Sequence, residues 1–219
     1  MNILTLNDVH KRYGDTILFR GVNLAIGAGE TLCIKTGVLD GGTTLLKMLA
    51  GLVEADRGTI LLEGKPYAEH HPTALFNNVA MCFEEGGVLD VFTNYNNIVL
   101  PMLYHLDIEH DVIHERIYSI AEKLDLAPHM GLEPFQLNDV QKRLLNLCKA
   151  LVVKPKVIIV DELQSGMSND IRDRVLQFLK DEQQQLQFSI IMTTTAGDRT
   201  DFADRVFSIV DHTLIEEVT

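Results

Sequence analysis

The chain has 219 residues, 46% of them hydrophobic and 23% charged, the usage of an ordinary globular protein, which excludes disordered and low-complexity architectures. Lys and Arg total 19 against 31 Asp and Glu, a formal net charge of −12, so a protein built to grip nucleic-acid phosphates or an anionic membrane surface is also excluded. Cys33, Cys82 and Cys148 lack the paired spacing of a disulfide framework or a zinc site and read as small core residues in a reducing compartment.

The opening stretch meets Asp8 and then basic residues, with no signal-peptide apolar region, and no apolar run approaches the roughly 18–20 residues that span a bilayer, so a soluble cytoplasmic chain is expected. Residues 3–6, 22–26 and 31–34 read as short strands, with turns at Gly14, Gly27 and Gly29. A Gly- and Thr-rich loop from Thr36 to Thr44 then leads into a short helix over 45–52 that closes on Gly51. Residues 58–64 and 78–83 read as strands, and His70-His71 before Pro72 as a surface turn. Between 84 and 152 helical periods dominate, over 111–126 and 140–152, with Gly86-Gly87 and Pro101 marking turns. His110 and His114 lie four apart, beside Glu109, Asp111 and Glu115, and predict a solvated helix face rather than a metal site. After Pro155 the β signal returns at 157–160, followed by a helix over 168–186 and strands at 189–192 and 206–210. Strands alternating with helices predict an α/β domain whose mainly parallel sheet is covered on both sides and carries a mostly helical insertion.

Two places have the residue types of phosphate chemistry. In a P-loop, G-x-x-x-x-G-K-[ST], backbone N–H groups wrap the phosphates, the lysine reaches their oxygens and the hydroxyl holds Mg²⁺. Here the stretch TGVLDGGTT (36–44) has glycines and hydroxyls but no lysine. The second place is the apolar run 157–160, which delivers Asp161 and Glu162 at its C-terminal end, the placement of a metal-linked Asp and a base for attacking water.

With these two landmarks the chain resembles ABC transporter ATP-binding subunits nearly end to end. Residues 9–30 are similar to the family's N-terminal β region, 45–66 to the stretch after its P-loop, 148–163 to its signature helix running into the Walker B strand, and 203–209 to its last core strand. Residues 83–102 look most like the ATPases of Mla- and Mce-type lipid-trafficking systems. The resemblance implies a P-loop NTPase of the ABC type: an N-terminal antiparallel β region and a mainly parallel core in 1–83 and 153–219, and a helical subdomain inserted at 84–152. Because the chain ends at Thr219, no long C-terminal extension is expected.

The resemblance also assigns sites. Tyr13 sits where an aromatic side chain stacks on adenine, and Gly37, Gly41, Gly42, Thr43 and Thr44 make up the nucleotide loop. Two registers are open: one aligns Thr36, Gly41, Gly42 and Thr43 with the family's first glycine, second glycine, lysine and metal-binding hydroxyl, and the other slides by one to Gly37, Gly42, Thr43 and Thr44. Neither supplies the cation; Lys35 is a substitute only if it folds back over the loop. Asp161, Thr43 and Glu84 fall at metal-contacting positions, and Glu162 at the catalytic one, where it is a vestige if the site is dead. The signature reads Leu137, Asn138, Asp139, Val140 and Gln141 without the family's serine or glycines, and Thr194 and Thr195 stand in the switch region with no histidine nearby.

Removing one preorganised donor from a transition-state charge typically costs about 10²–10³ in rate, and here the lysine, signature donors and histidine are absent together. Asp40, Glu84 and Asp139 add negative charge at positions that surround a triphosphate in the family. The expected protein is a hydrolysis-impaired pseudo-ATPase, binding ATP and Mg²⁺ weakly or not at all. It is expected to dimerise with itself or with another ABC ATPase and to sit on the inner face of the membrane through a multi-spanning permease. Neither nucleic acid nor direct membrane insertion is expected.

Overall fold

Leu4 and Leu6 alternate inward and a register shift after Leu6 brings Val9 inward as well, while Asn7 and Asp8 face solvent. The computed structural model describes residues 1–217. In it β1 (Asn2–Tyr13) and β2 (Thr16–Gly27) pair antiparallel in the register Leu4↔Ile26 and Leu6↔Leu24. β3 (Thr31–Lys35), buried except at Lys35, follows, then α1 (Gly42–Leu49). Next come β4 (Arg57–Leu62) and β5 (Lys65–Pro66), which complete a four-stranded sheet of order β2-β1-β4-β5. A short α2 (Pro72–Asn78) leads into β6 (Val79–Cys82). The helical stretch contains α3 (Asn94–His105), α4 (His110–Lys123) and α5 (Asp139–Val152). It is followed by β7 (Val157–Val160), α6 (Asn169–Leu186), β8 (Ser189–Thr194), β9 (Arg205–Val210) and β10 (Thr213–Glu216).

The second sheet has the order β10-β9-β3-β8-β7-β6, with every neighbour parallel except the β9–β10 hairpin. Its central strands β3, β7 and β8 are buried on both faces because both faces are covered. On β7, Ile158 and Val160 join a core with Ile98, Ile117 and Leu147 of the inserted helices, whereas Val157 and Ile159 join Phe19, Leu45 and Leu46 on the opposite side. Strand order reverses beside β3, where α1 begins, which is where open α/β sheets place their ligand crevice.

Three local expectations are corrected. Pro101 does not mark a turn: it lies inside α3, which starts at the N-cap Thr93, whose Oγ1 accepts the Asn96 N–H (3.2 Å), and which buries Ile98, Val99 and Met102. His71-Pro72 opens α2, with His71 as N-cap and Pro72 in the first turn, where its missing N–H is harmless. The helix expected from residue 45 begins at Gly42.

Candidate functional site

The glycine loop runs from the end of β3 to the start of α1, tied down by Thr36, whose N–H and Oγ1 both donate to the Thr194 carbonyl at the end of β8 (2.8 and 3.2 Å). Gly41 is the N-cap of α1 with φ +94°, and a Cβ there would lie 3.1 Å from the Phe19 ring. Gly42 is helical, yet its Cβ would lie 2.3 Å from Thr36 Cγ2. The geometry fits the first register, and in it the residues at the family's first-glycine and lysine positions interlock: the threonine methyl fills the space a side chain at 42 would need. Leu39 is held at φ +65° with its side chain exposed. Asp40 folds back over the loop, Oδ2 accepting the Gly37 N–H and Oδ1 the Gly42 N–H (3.0 Å).

No lysine reaches this carboxylate. Lys35 Nζ pairs with Glu217 Oε2 at 2.6 Å. Glu217 also accepts from Ser208 on β9 (2.6 Å), so the only cation adjoining the loop in sequence is committed to the β9–β10 side. Thr43 is exposed and Thr44 half-buried in the first turn of α1.

Asp161 and Glu162 follow directly on β7. Asp161, 3% exposed, accepts from Thr193 Oγ1 (2.8 Å), and the same hydroxyl accepts the Glu162 N–H (3.0 Å). Partial burial raises the Glu162 carboxyl above the usual range, helped by the charges of Glu84, Asp161 and Asp198 and opposed by Arg143. Glu84 faces the buried Arg143, whose Nη2 lies 3.4 Å from its Oε1 and whose Nη1 donates to the Ser165 carbonyl (2.7 Å). Two further side chains of α5 hold the same loop: Asn146 donates to the Gly86 carbonyl (2.9 Å) and Lys149 to Gly87 (2.8 Å). Residues 143, 146 and 149 lie three apart on one helix face, a spacing visible in sequence. Gln164, unmarked by any motif in the sequence, exchanges two hydrogen bonds with the Arg199 backbone (2.8 and 2.9 Å).

The altered signature is a helix cap. Asn138 Oδ1 accepts the Gln141 N–H (2.8 Å) and Gln141 Oε1 accepts the Asn138 N–H (3.0 Å), closing a capping box at the start of α5. Leu137 is buried, Asp139 is exposed in the first turn, and Val140 is half-buried. An N-x-x-Q pattern was the available signal for a helix that starts at 139 rather than 140. In the switch region the Thr194 hydroxyl is buried without a partner among the described residues, and Thr195 bonds Asp198 through both N–H and Oγ1 (2.9 and 3.1 Å). Tyr13 lies at the end of β1, 52% exposed, with Lys11 Nζ 5.1 Å from its ring centroid.

The N–H groups of Gly37 and Gly42 are engaged by Asp40, a side chain at 42 has no room, and Glu84 is paired with Arg143. Among the described residues no group of three or more His, Cys, Asp and Glu is placed to hold a metal ion, and His114 meets Tyr95 (3.2 Å) instead.

The ABC transporter family profile matches residues 19–165. The methionine import ATP-binding protein MetN of Brucella abortus is 32% identical over 225 residues, covering 98% of this chain and 59% of the relative. The spermidine/putrescine import ATP-binding protein PotA of Pasteurella multocida is 29% identical over 192 residues, covering 88% and 51%. The chain thus spans little more than half the length of these curated relatives. A bacterial ABC transporter cassette solved as a dimer superposes with a TM-score of 0.89 at 19% identity, covering 98% of this chain and 97% of that one, a likeness of fold. These relatives are import proteins, and the Mla- and Mce-type resemblance of residues 83–102 finds no support among them. The chain belongs to the ABC transporter family and has the fold of its ATP-binding cassettes.

Proposed function

We propose that the chain is the ATP-binding-type subunit of a membrane transporter, docking on a multi-spanning permease from the cytoplasmic face while its own nucleotide site turns over ATP poorly or not at all. The observation that carries this reading is the contrast between two surfaces. The phosphate loop has no lysine and no room for one at residue 42. The groove between α1, α2, α3 and α5, by contrast, is open and apolar: about 380 Å³, lined by Leu52, Phe76, Met81, Pro101, Met102 and Ala150 among others. In the family this groove takes the permease's coupling helix. Among the described residues no helix is long and apolar enough to cross a membrane, so attachment is through a partner.

Dimerisation, with a second copy or with an intact ATPase, is part of the proposal and is supported by the fold shared with a dimeric cassette. The two import relatives favour a small solute as cargo over the lipid suggested by residues 83–102. The test pairs Mg²⁺-ATP titration by thermal shift with phosphate release. Binding to the native state alone raises Tm with ligand concentration. Phosphate release abolished by Glu162→Gln contradicts the impaired-site reading. Failure to co-purify from membranes with a multi-spanning protein contradicts docking and leaves a soluble scaffold.

A further inference from the structure

We propose that Asp40 is a resident anion of the phosphate loop, a built-in carboxylate that occupies the place of an incoming phosphate and decides against oxyanion ligands. This rests on the impaired-site reading and says which residue enforces it. In a P-loop the free N–H groups at the loop and the start of its helix point at phosphate oxygens. Here the carboxylate oxygens take that role: Oδ2 accepts from Gly37 and Oδ1 from Gly42, the first residue of α1. The two donors belong to opposite ends of the loop, so a single side chain closes it.

Several independent features agree with an internal occupant. The loop is bent tightly enough to hold Leu39, a γ-branched residue, at φ +65°, a conformation L side chains rarely adopt. The Thr36 methyl fills the space beside Gly42, leaving no room for a longer side chain to enter and replace Asp40 as charge partner. Lys35, whose ammonium would otherwise attract phosphate to the loop, is held by Glu217. A tethered carboxylate competes as an intramolecular ligand, at an effective concentration in the millimolar range for even a flexible tether. Hydrogen bonds to an ionised acceptor are the stronger kind, so a phosphate must displace two of them and then sit beside the expelled charge.

The test compares the wild-type chain with Asp40→Ala and Asp40→Asn, using inorganic pyrophosphate and Mg²⁺-ATP as probes in calorimetry and thermal shift. Removing the competing carboxylate is expected to raise pyrophosphate affinity about 10- to 100-fold, the equivalent of one charge-assisted hydrogen bond. Asp40→Asn, which keeps the size and loses the charge, gives a smaller rise. Amide hydrogen exchange checks the geometry without any ligand: Gly37 and Gly42 lose protection in Asp40→Ala and regain it when pyrophosphate is added. Unchanged exchange at both amides, or a folded Asp40→Ala that binds pyrophosphate no better than wild type, overturns the proposal while leaving the impaired-site reading intact. Tight Mg²⁺-ATP binding and turnover by the wild type overturns that reading instead.

Discussion

The interlock of Thr36 with Gly42 makes a prediction whose size follows from the geometry. A Cβ on residue 42 would sit 2.3 Å from Thr36 Cγ2 and 3.2 Å from Thr36 Cβ, the first more than about 1 Å inside the roughly 3.5 Å at which carbon atoms pack best. The threonine cannot swing aside freely: it is β-branched, with few rotamers, and rotation breaks its hydroxyl's bond to the Thr194 carbonyl (3.2 Å), worth about 1 kcal/mol. Overpacking of this kind costs about 1–3 kcal/mol, and the better helix propensity of alanine offsets up to about 1 kcal/mol. Gly42→Ala is therefore expected to destabilise the wild-type chain by about 1–2 kcal/mol, or roughly 2–8 °C in Tm for a domain of this size. In a Thr36→Ser background, which keeps the hydroxyl and removes the methyl, the same change becomes neutral or stabilising. A double-mutant cycle on urea midpoints at constant m reads the coupling, expected near 2 kcal/mol. Additivity within about 0.5 kcal/mol would show that the methyl does not fill that space and would refute the reasoning.

Leu39→Gly relieves a left-handed conformation at an exposed position and is expected to stabilise the fold by about 1 kcal/mol in the same urea assay, whereas Leu39→Val does the reverse. Glu84→Gln removes a neighbouring negative charge and lowers the Glu162 pKa, followed by carboxyl ¹³C shifts. The sign is fixed by linkage: because the folded-state value is raised, Glu162 contributes stability that is complete below its unfolded pKa and lost as pH rises through the folded one, so Glu84→Gln flattens the stability profile just above the ordinary glutamate range of about 4.3. Cys33, Cys82 and Cys148 are buried, each with a thiol pKa pushed up to about 12 by burial. No thiol reacts with an aromatic disulfide at pH 8 in the native state, and all three react in denaturant; a fast native thiol would contradict their packing.

The β framework was legible because its signals are local. Apolar runs at 31–34, 157–160 and 189–192 are the central strands, and the Gly- and Thr-rich run does lie between β3 and α1. What escaped depended on partners distant in sequence. Pro101 reads as a turn, yet Asn97 spends its side chain on the carbonyls of Leu89, Phe92 and Thr93, and burial of Ile98 and Met102 outweighs the lost proline N–H. The hairpin to β10 turns on Asp211-His212, both at positive φ, without the Asn-Gly or Asp-Gly signal such a turn usually carries. In the site, sequence identified Asp40 as an unsuitable charge but not where the charge goes, because a carboxylate in a glycine loop is equally compatible with pointing outward.

On the proposed reading, the altered motifs are refitted rather than merely lost. A site decaying by chance would leave buried polar groups without partners, each at a cost of about 1–3 kcal/mol. Instead the departures from the family pattern come in complementary sets. Thr36 fits against Gly42, Asp40 binds the glycine amides, Glu84 pairs with Arg143, and Asn138 closes a capping box with Gln141. Among the described residues, several buried polar atoms still lack a partner, the Thr194 hydroxyl and the Arg143 Nε among them. These two lie near Thr195 and beside the Glu84 loop. Arg143, Asn146 and Lys149 now hold the 84–87 loop to α5 with no nucleotide involved. On the docking reading proposed above, a cassette wired this way keeps the walls of that groove in one arrangement, because Lys149 and Ala150 of the same helix line it. Under that proposal the contacts favour fixed docking over a nucleotide-driven stroke.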